Sequence, residues 1–232
     1  MKKVGFIGGY DKVDLVIYVA KILNMAKYKV LVIDTTSTEK SRYIIPVMNP
    51  SKEYVTEYDE IDIAVGFSKM EDIKKYLGLS EKQEMEYDFV LIDTDNESGF
   101  KKFDIETADK SYFVTSFDSY SLKKGLETLN AIQKNITLTK VLFAKEVLKE
   151  DDDYLNFLSL GYKNIWNPER IYFPIENGDL TVIYENQRFA KIKFKKLSVQ
   201  YKDGLSYIAM QILGDGSESK VRRVMKIIEK GV

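Results

Sequence analysis

Cysteine and histidine are both absent from the 232-residue chain. Their absence excludes disulfides, thiolate and imidazole metal sites, cysteine nucleophiles and every triad that needs a histidine base. Chemistry is left to carboxylates, lysines, hydroxyls and bound ions. An excess of charge of either sign is missing too. The 35 basic and 36 acidic side chains give a net charge of −1, so the totals carry no strong nucleic-acid signal, and any basic surface must be local. No run approaches the roughly 20 apolar residues of a membrane span. The apolar stretch after Met1-Lys2-Lys3 is interrupted by Tyr10-Asp11-Lys12-Val13-Asp14 before it reaches the length of a secretory signal. The protein is therefore expected to be cytoplasmic. With 44% hydrophobic and 31% charged residues it has the material for one substantial core.

What is present is an alternation of apolar strands and amphipathic helices. Val4 to Ile7 reads as a buried strand, Gly8-Gly9 as a tight turn, and Leu15 to Leu23 as a helix packed back on the sheet. Lys29 to Asp34 and Tyr87 to Asp93 are continuous apolar runs that end in a carboxylate, as in strands buried on both faces of a parallel sheet. Ile61 to Gly66, Ser111 to Thr115 and Lys140 to Ala144 read as further strands, and Arg170 to Pro174 as an edge strand, because Pro174 cannot donate to a ladder. Helices are predicted over Lys69 to Leu79, Ser121 to Gln133, Asp153 to Leu160 and Leu205 to Leu213. Thr35 to Glu60, with Pro46, Asn49 and Pro50, reads as an irregular connection holding one short helical piece. The pattern predicts a doubly wound α/β fold, a mainly parallel sheet with helices on both faces, over residues 1–214.

Three features in this order resemble the ParA/MinD family of deviant P-loop ATPases. They are the Gly8-Gly9 turn with Lys12, the strand ending Leu31-Val32-Ile33-Asp34, and Tyr87-Asp88-Phe89-Val90-Leu91-Ile92-Asp93-Thr94, which is similar to the family's Walker B strand. Ala108-Asp109, Ser121-Leu122-Lys123-Lys124-Gly125 and the stretch from Phe173-Pro174 to Leu213 extend the resemblance along the chain. It implies a P-loop NTPase fold, a nucleotide site at Gly8, Gly9, Tyr10, Asp11, Lys12 and Val13 for ATP or ADP, and Mg2+ at Asp34 and Asp93.

The phosphate loop itself departs from the pattern. With Lys12 aligned on the phosphate-binding lysine, Phe6 and Asp11 stand where G-x-x-x-x-G-K-[ST] has glycines, and Val13 replaces the magnesium-binding hydroxyl. The lysine that the family extends to a partner's phosphates falls at Ile7, so any homodimer is expected to form independently of ATP. Asp11 brings a negative charge to the phosphate position, where unit-charge repulsion at about 4 Å and an effective dielectric near 20 is roughly 4 kcal/mol. Asp14 would offer magnesium an oxygen only in a register shifted by one. Asp11-Lys12-Val13-Asp14 also reads as a helix N-cap, which would place the protein's own carboxylate in the anion site. Asp34 is followed by Thr35-Thr36-Ser37-Thr38 rather than by a second acid, and the adenine contact would fall near Ala144 or Lys145.

Other charged stretches have plainer readings. Asp95 and Glu97 read as an acidic ion site or a polar loop, Glu150 to Asp153 as a solvated helix start, and Lys191-Ile192-Lys193-Phe194-Lys195-Lys196 as a half-buried basic edge. The tail, residues 215–232, places Val221, Val224, Met225, Ile228 and Val232 on one helical face among basic residues. That face would pack on its own domain, on a partner or, as a peripheral contact, on the inner face of a membrane. Three functions stay open. The first is a non-hydrolysing or weakly nucleotide-binding organiser or adaptor for a bacterial assembly, in the manner of the TadZ/CpaE proteins of pilus systems, working through protein partners. The second is an active ATP-dependent positioning switch, and the third an enzyme acting on a small anion or phospho-ligand.

Overall fold

The computed structural model describes residues 1–46, 51–80, 82–144, 149–174 and 176–230; Asn49, Pro50, Lys145 and Val232, each given a place from the sequence, lie outside them. Strand β1 (Lys2–Ile7) leads through the glycine turn into helix α1 (Val13–Met25), and β2 (Val30–Asp34) follows. Residues 15–23 of α1 are all buried, because the helix is enclosed between the sheet and two helices from the end of the chain.

The connection after β2 is less irregular than expected. Helix α2 (Ser41–Ile44) is the short helical piece, but Tyr54–Tyr58 forms strand β3, antiparallel to β4 (Ile61–Val65). Their two-residue turn places Asp59 and Glu60 at φ values of 49° and 68°, as in a type I′ hairpin. Lys21 holds this turn, its Nζ 3.2 Å from an Asp59 carboxylate oxygen and donating to the Asp59 carbonyl at 2.8 Å.

Helix α3 (Met70–Tyr76) and strand β5 (Phe89–Thr94) fall where the periodicity predicts. After β5 the expected polar loop is instead helix α4 (Glu97–Lys102), capped by Asn96, whose side-chain oxygen accepts from the Gly99 amide at 2.8 Å. The alternation continues with β6 (Lys110–Ser116), α5 (Ser119–Leu129), β7 (Ile136–Phe143), α6 (Lys149–Leu158) and β8 (Asn164–Phe173). Helix α7 (Asn177–Phe189) was not foreseen, since Tyr184 and Phe189 face solvent and blur its apolar stripe. Residues 191–196 are therefore not a sheet edge but part of the connection to α8 (Val199–Leu213), which α9 (Glu218–Lys230) follows.

Among the described residues the strands make one eight-stranded sheet in the order β3-β4-β2-β5-β1-β6-β7-β8, parallel throughout except for β3. Chain order reverses beside β1, so the carboxyl ends of β1, β2 and β5 open on a common crevice, the usual ligand position of such sheets. Alternate strand residues feed two cores. Val4, Phe6, Val30 and Val32 pack under α1, α7, α8 and α9, whereas Ile7, Leu31 and Ile33 pack with residues of α3, α4, α5 and α6.

The apolar face of the tail points inward. Val221, Val224, Met225 and Ile228 are buried, and α9 contacts α1 and α8. To bring these four side chains to a membrane or a partner, the helix would have to leave the domain. No helix among the described residues is long and apolar enough to cross a membrane.

Candidate functional site

The crevice at the end of β1 is closed by the glycine turn. Gly8 has φ +145°, and a Cβ there would lie 2.0 Å from the Val114 carbonyl oxygen of β6; a Cβ on Gly9 would meet the Lys124 side chain of α5 at 2.6 Å. The two glycines thus bring the chain tightly past β6 and α5, which is reason enough for them whatever the loop binds. Tyr10 then turns away, its ring stacked on Phe143 of β7 with centroids 4.6 Å apart.

Lys12 does not reach out of the loop. Its Nζ lies 2.7 Å from Oδ1 of Asp93, at the end of β5, and donates to the Gly8 carbonyl at 2.8 Å. Both residues are only 3% exposed. Burial pushes the Asp93 carboxyl up from its ordinary range, the Lys12 ammonium pulls it down, and the nearby Asp34 carboxylate pushes it up again. Lysine and strand-end acid, expected to hold phosphate and magnesium, hold each other.

Asp11 departs from its expected role. Lys12, not Asp11, occupies the N-cap position of α1, and its side chain makes no capping bond. The Asp11 carboxylate accepts only a long hydrogen bond, 3.5 Å, from the Val13 amide, and its other oxygen pairs with Lys40 Nζ at 2.5 Å. Lys40 sits 29 positions along the chain, just before α2, so nothing local could have shown that this cation would draw the carboxylate away. Val13 is buried and brings no oxygen.

Asp34 is committed to its own loop. One carboxylate oxygen accepts from the Thr36 amide at 2.9 Å and the Thr36 hydroxyl at 2.6 Å, and the other from the Ser41 amide at 3.0 Å. Asp95 does the same service, accepting from the Ser37 amide at 2.7 Å and from Asn96 at 2.9 Å. These bonds account for the Thr-rich stretch after β2: the hydroxyls and amides satisfy strand-end acids. Among the described residues, no group of three or more carboxylates is placed to hold a metal ion.

Around this centre lies a cleft of about 340 Å³ lined by residues 9–13, Thr36, Thr38, Lys40, Asp93, Asp95, Asp118, Tyr120 and Ser121. Lys40, Asp118 and Tyr120 were not foreseen from the sequence. Asp118 caps α5, accepting from the Tyr120 and Ser121 amides, and hydrogen bonds from Ser116 and Ser121 hold its carboxyl down to about 2. Among the described residues the lining carries four carboxylates against two lysines, a field that disfavours a triphosphate. Asp14, in the first turn of α1, lies outside the lining. Its half-buried carboxyl accepts from Gln187 of α7 at 2.8 Å and is pushed up to about 7, chiefly by burial.

No family model matches the sequence, and no curated protein matches it. Solved structures match by shape. A ParA family ATPase from Chlorobium tepidum is similar with a TM-score of 0.58 at 12% identity, over 90% of this chain and 98% of that one. MinD in the MinC:MinD cell division complex of Aquifex aeolicus gives a TM-score of 0.52 at 15% identity, over 97% of this chain and 96% of that one. The chain has the ParA/MinD fold. An ATP complex of a Cyanothece McdA variant adds a TM-score of 0.51 at 13% identity, over 100% and 97% of the two chains.

Within the ParA/MinD fold the resemblance assigned Lys12, Asp34 and Asp93 to a magnesium nucleotide, and the structure does bring all three to one crevice. Their side chains in this arrangement do not fit that ligand. Lys12 is neutralised by Asp93, both oxygens of Asp34 are engaged, Val13 has no hydroxyl, and the Asp11 carboxylate borders the space a phosphate would enter.

Proposed function

We propose that this protein is a non-hydrolysing ParA/MinD-fold organiser or adaptor of a larger bacterial assembly, such as a pilus, secretion, conjugation or partition machine, that works through protein partners. The observation that carries the reading is the buried ion pair of Lys12 and Asp93, 2.7 Å apart. The loop's own cation is already matched inside the fold, so the crevice is stable without a phosphate. The partner role is supported by one structural neighbour, a MinD seen with MinC. A second reading, a working nucleotide switch, is supported by the ATP in the McdA complex; it requires Lys12 to leave Asp93.

Thermal melting with and without millimolar Mg-ATP, paired with a phosphate-release assay, separates the two. A ligand at 100 times its Kd stabilises the folded state by about 2.7 kcal/mol, a shift that melting reads easily. The expected result is an unchanged Tm and no phosphate release. A Tm that rises with Mg-ATP and no longer does so in Lys12→Ala would replace the first reading with the second.

A further inference from the structure

Two surface patches of opposite charge stand outside the cleft and share no residue with its lining. The first is on α6. Glu150 and Asp153 are exposed there, and the same helix carries Tyr154 and Phe157 into solvent, Phe157 at 66% exposure, with Leu160 just beyond at 73%. Asp152 of the acidic run is buried, paired with Lys140 at 2.7 Å and Arg170 at 3.1 Å, and Asp151 is half-buried. The run is thus not uniformly solvated: Asp152 anchors the helix, while Glu150 and Asp153 face outward beside a row of aromatic and aliphatic side chains.

The second patch is the connection after α7. Ile192, Phe194 and Leu197 are buried, so the intervening Lys191, Lys193 and Lys195 are held outward. The backbone there is fixed at two points. The Asn186 side chain accepts from the Lys193 amide at 3.2 Å and donates to the Lys193 carbonyl at 3.0 Å. Together with Phe189, 69% exposed, these lysines and Lys196 border a pocket of about 260 Å³ against α7, where the acid Glu185 is paired with Lys196 at 3.4 Å and leaves the lysine side in excess. From Arg188 to Lys196 there are five cations and no acid in a chain whose net charge is −1, so charge is segregated here rather than merely present.

We propose that the acidic, aromatic face of α6 docks on the basic pocket beside α7 of a second copy of the same chain. Charge complementarity selects the occupant: each copy carries both halves of the contact, acids with exposed aromatic side chains on one, lysines around an open pocket on the other. The two halves lie on opposite layers. Leu155 of α6 packs in the core beneath α3 to α6, whereas Val182 and Ile183 of α7 and Ile192 and Phe194 of the connection pack in the other core. One pair of copies therefore cannot satisfy both contacts reciprocally, and the association is head-to-tail, closing into a ring or running on as a filament according to the rotation between successive copies, rather than a reciprocal dimer. It needs no nucleotide and does not depend on the state of the crevice.

Sedimentation velocity of the full chain tests this. At low ionic strength the weight-average sedimentation coefficient is expected to rise with protein concentration, and the rise to vanish near 1 M salt, where screening acts within about 3 Å. Two reversal variants, Glu150→Lys with Asp153→Lys, and Lys193→Glu with Lys195→Glu, should each weaken association at least about tenfold, since like charges then face each other. Mixing the two variants restores an acid-base match at both contacts and should restore large species. Phe157→Ala serves as an uncharged probe with little folding cost and should also weaken association. A wild-type chain that stays monomeric at every concentration, reversal variants that associate like the wild type, or a mixture that stays monomeric each overturn the proposal. So does an acidic partner protein that binds the lysines of a chain that does not self-associate.

Discussion

Removing one half of the Lys12–Asp93 pair leaves the other charge buried. Lys12→Ala is expected to lower stability by about 3–5 kcal/mol, the usual effect of breaking a buried pair from one side. Replacing both partners with apolar residues, Lys12→Met with Asp93→Leu, should recover most of that loss, because no charge is then stranded. Urea unfolding of the two variants checks this, and equal losses would show that the pair is not the element holding the loop closed. Asp14 gives a pH dependence. Its carboxyl ionises near 3.8 in an ordinary setting and near 7 in the folded domain, so the folded state keeps a proton that the unfolded chain has released. Its contribution is complete below about pH 4 and is lost as pH rises through about 7. Asp14→Asn retains the acceptor for Gln187 and should flatten the fall of Tm between those limits. The strand-end acids were legible at this scale because apolar runs ending in Asp are visible in sequence. The escape of Asp11 to Lys40 was not, since a local capping pattern says nothing of a cation 29 residues away.

For whole elements, legibility followed how cleanly burial is written in the residues. The central strands, buried on both faces, are unbroken apolar runs, and β1, β2 and β5 were placed to within a residue or two. Strand β3 was hidden because its hairpin uses Asp59-Glu60, residues that do not advertise positive φ, and relies on Lys21 to hold them. Helix α7 was hidden by its solvent-facing aromatic residues. Helix α9 offers the test at this scale. Its four buried apolar side chains are each worth about 1.5–3 kcal/mol, a large part of the ~5–15 kcal/mol net stability of a domain. Deleting residues 215–232 is expected to lower Tm by at least about 10 °C or to leave the chain insoluble. An unchanged Tm with lost liposome or partner binding would instead make the helix a docking device.

The whole molecule keeps the ParA/MinD sheet and crevice while redirecting the groups within them, and that redirection is distributed. The double variant Asp11→Gly with Val13→Thr restores two of the loop's ordinary residues but leaves Phe6 in place of a glycine, Lys12 matched to Asp93 and Asp34 bonded to Thr36 and Ser41. No phosphate release above background is expected from this double variant; turnover abolished by a further Lys12→Ala would show that the loop residues alone had silenced the site. The buried pair has one more consequence. Both the cation and its counter-charge are encoded in the chain, so on the proposed reading the crevice takes its final state at translation and is blind to the energy level of the cell. Any timing the protein contributes must then come from how many copies are made and where they meet.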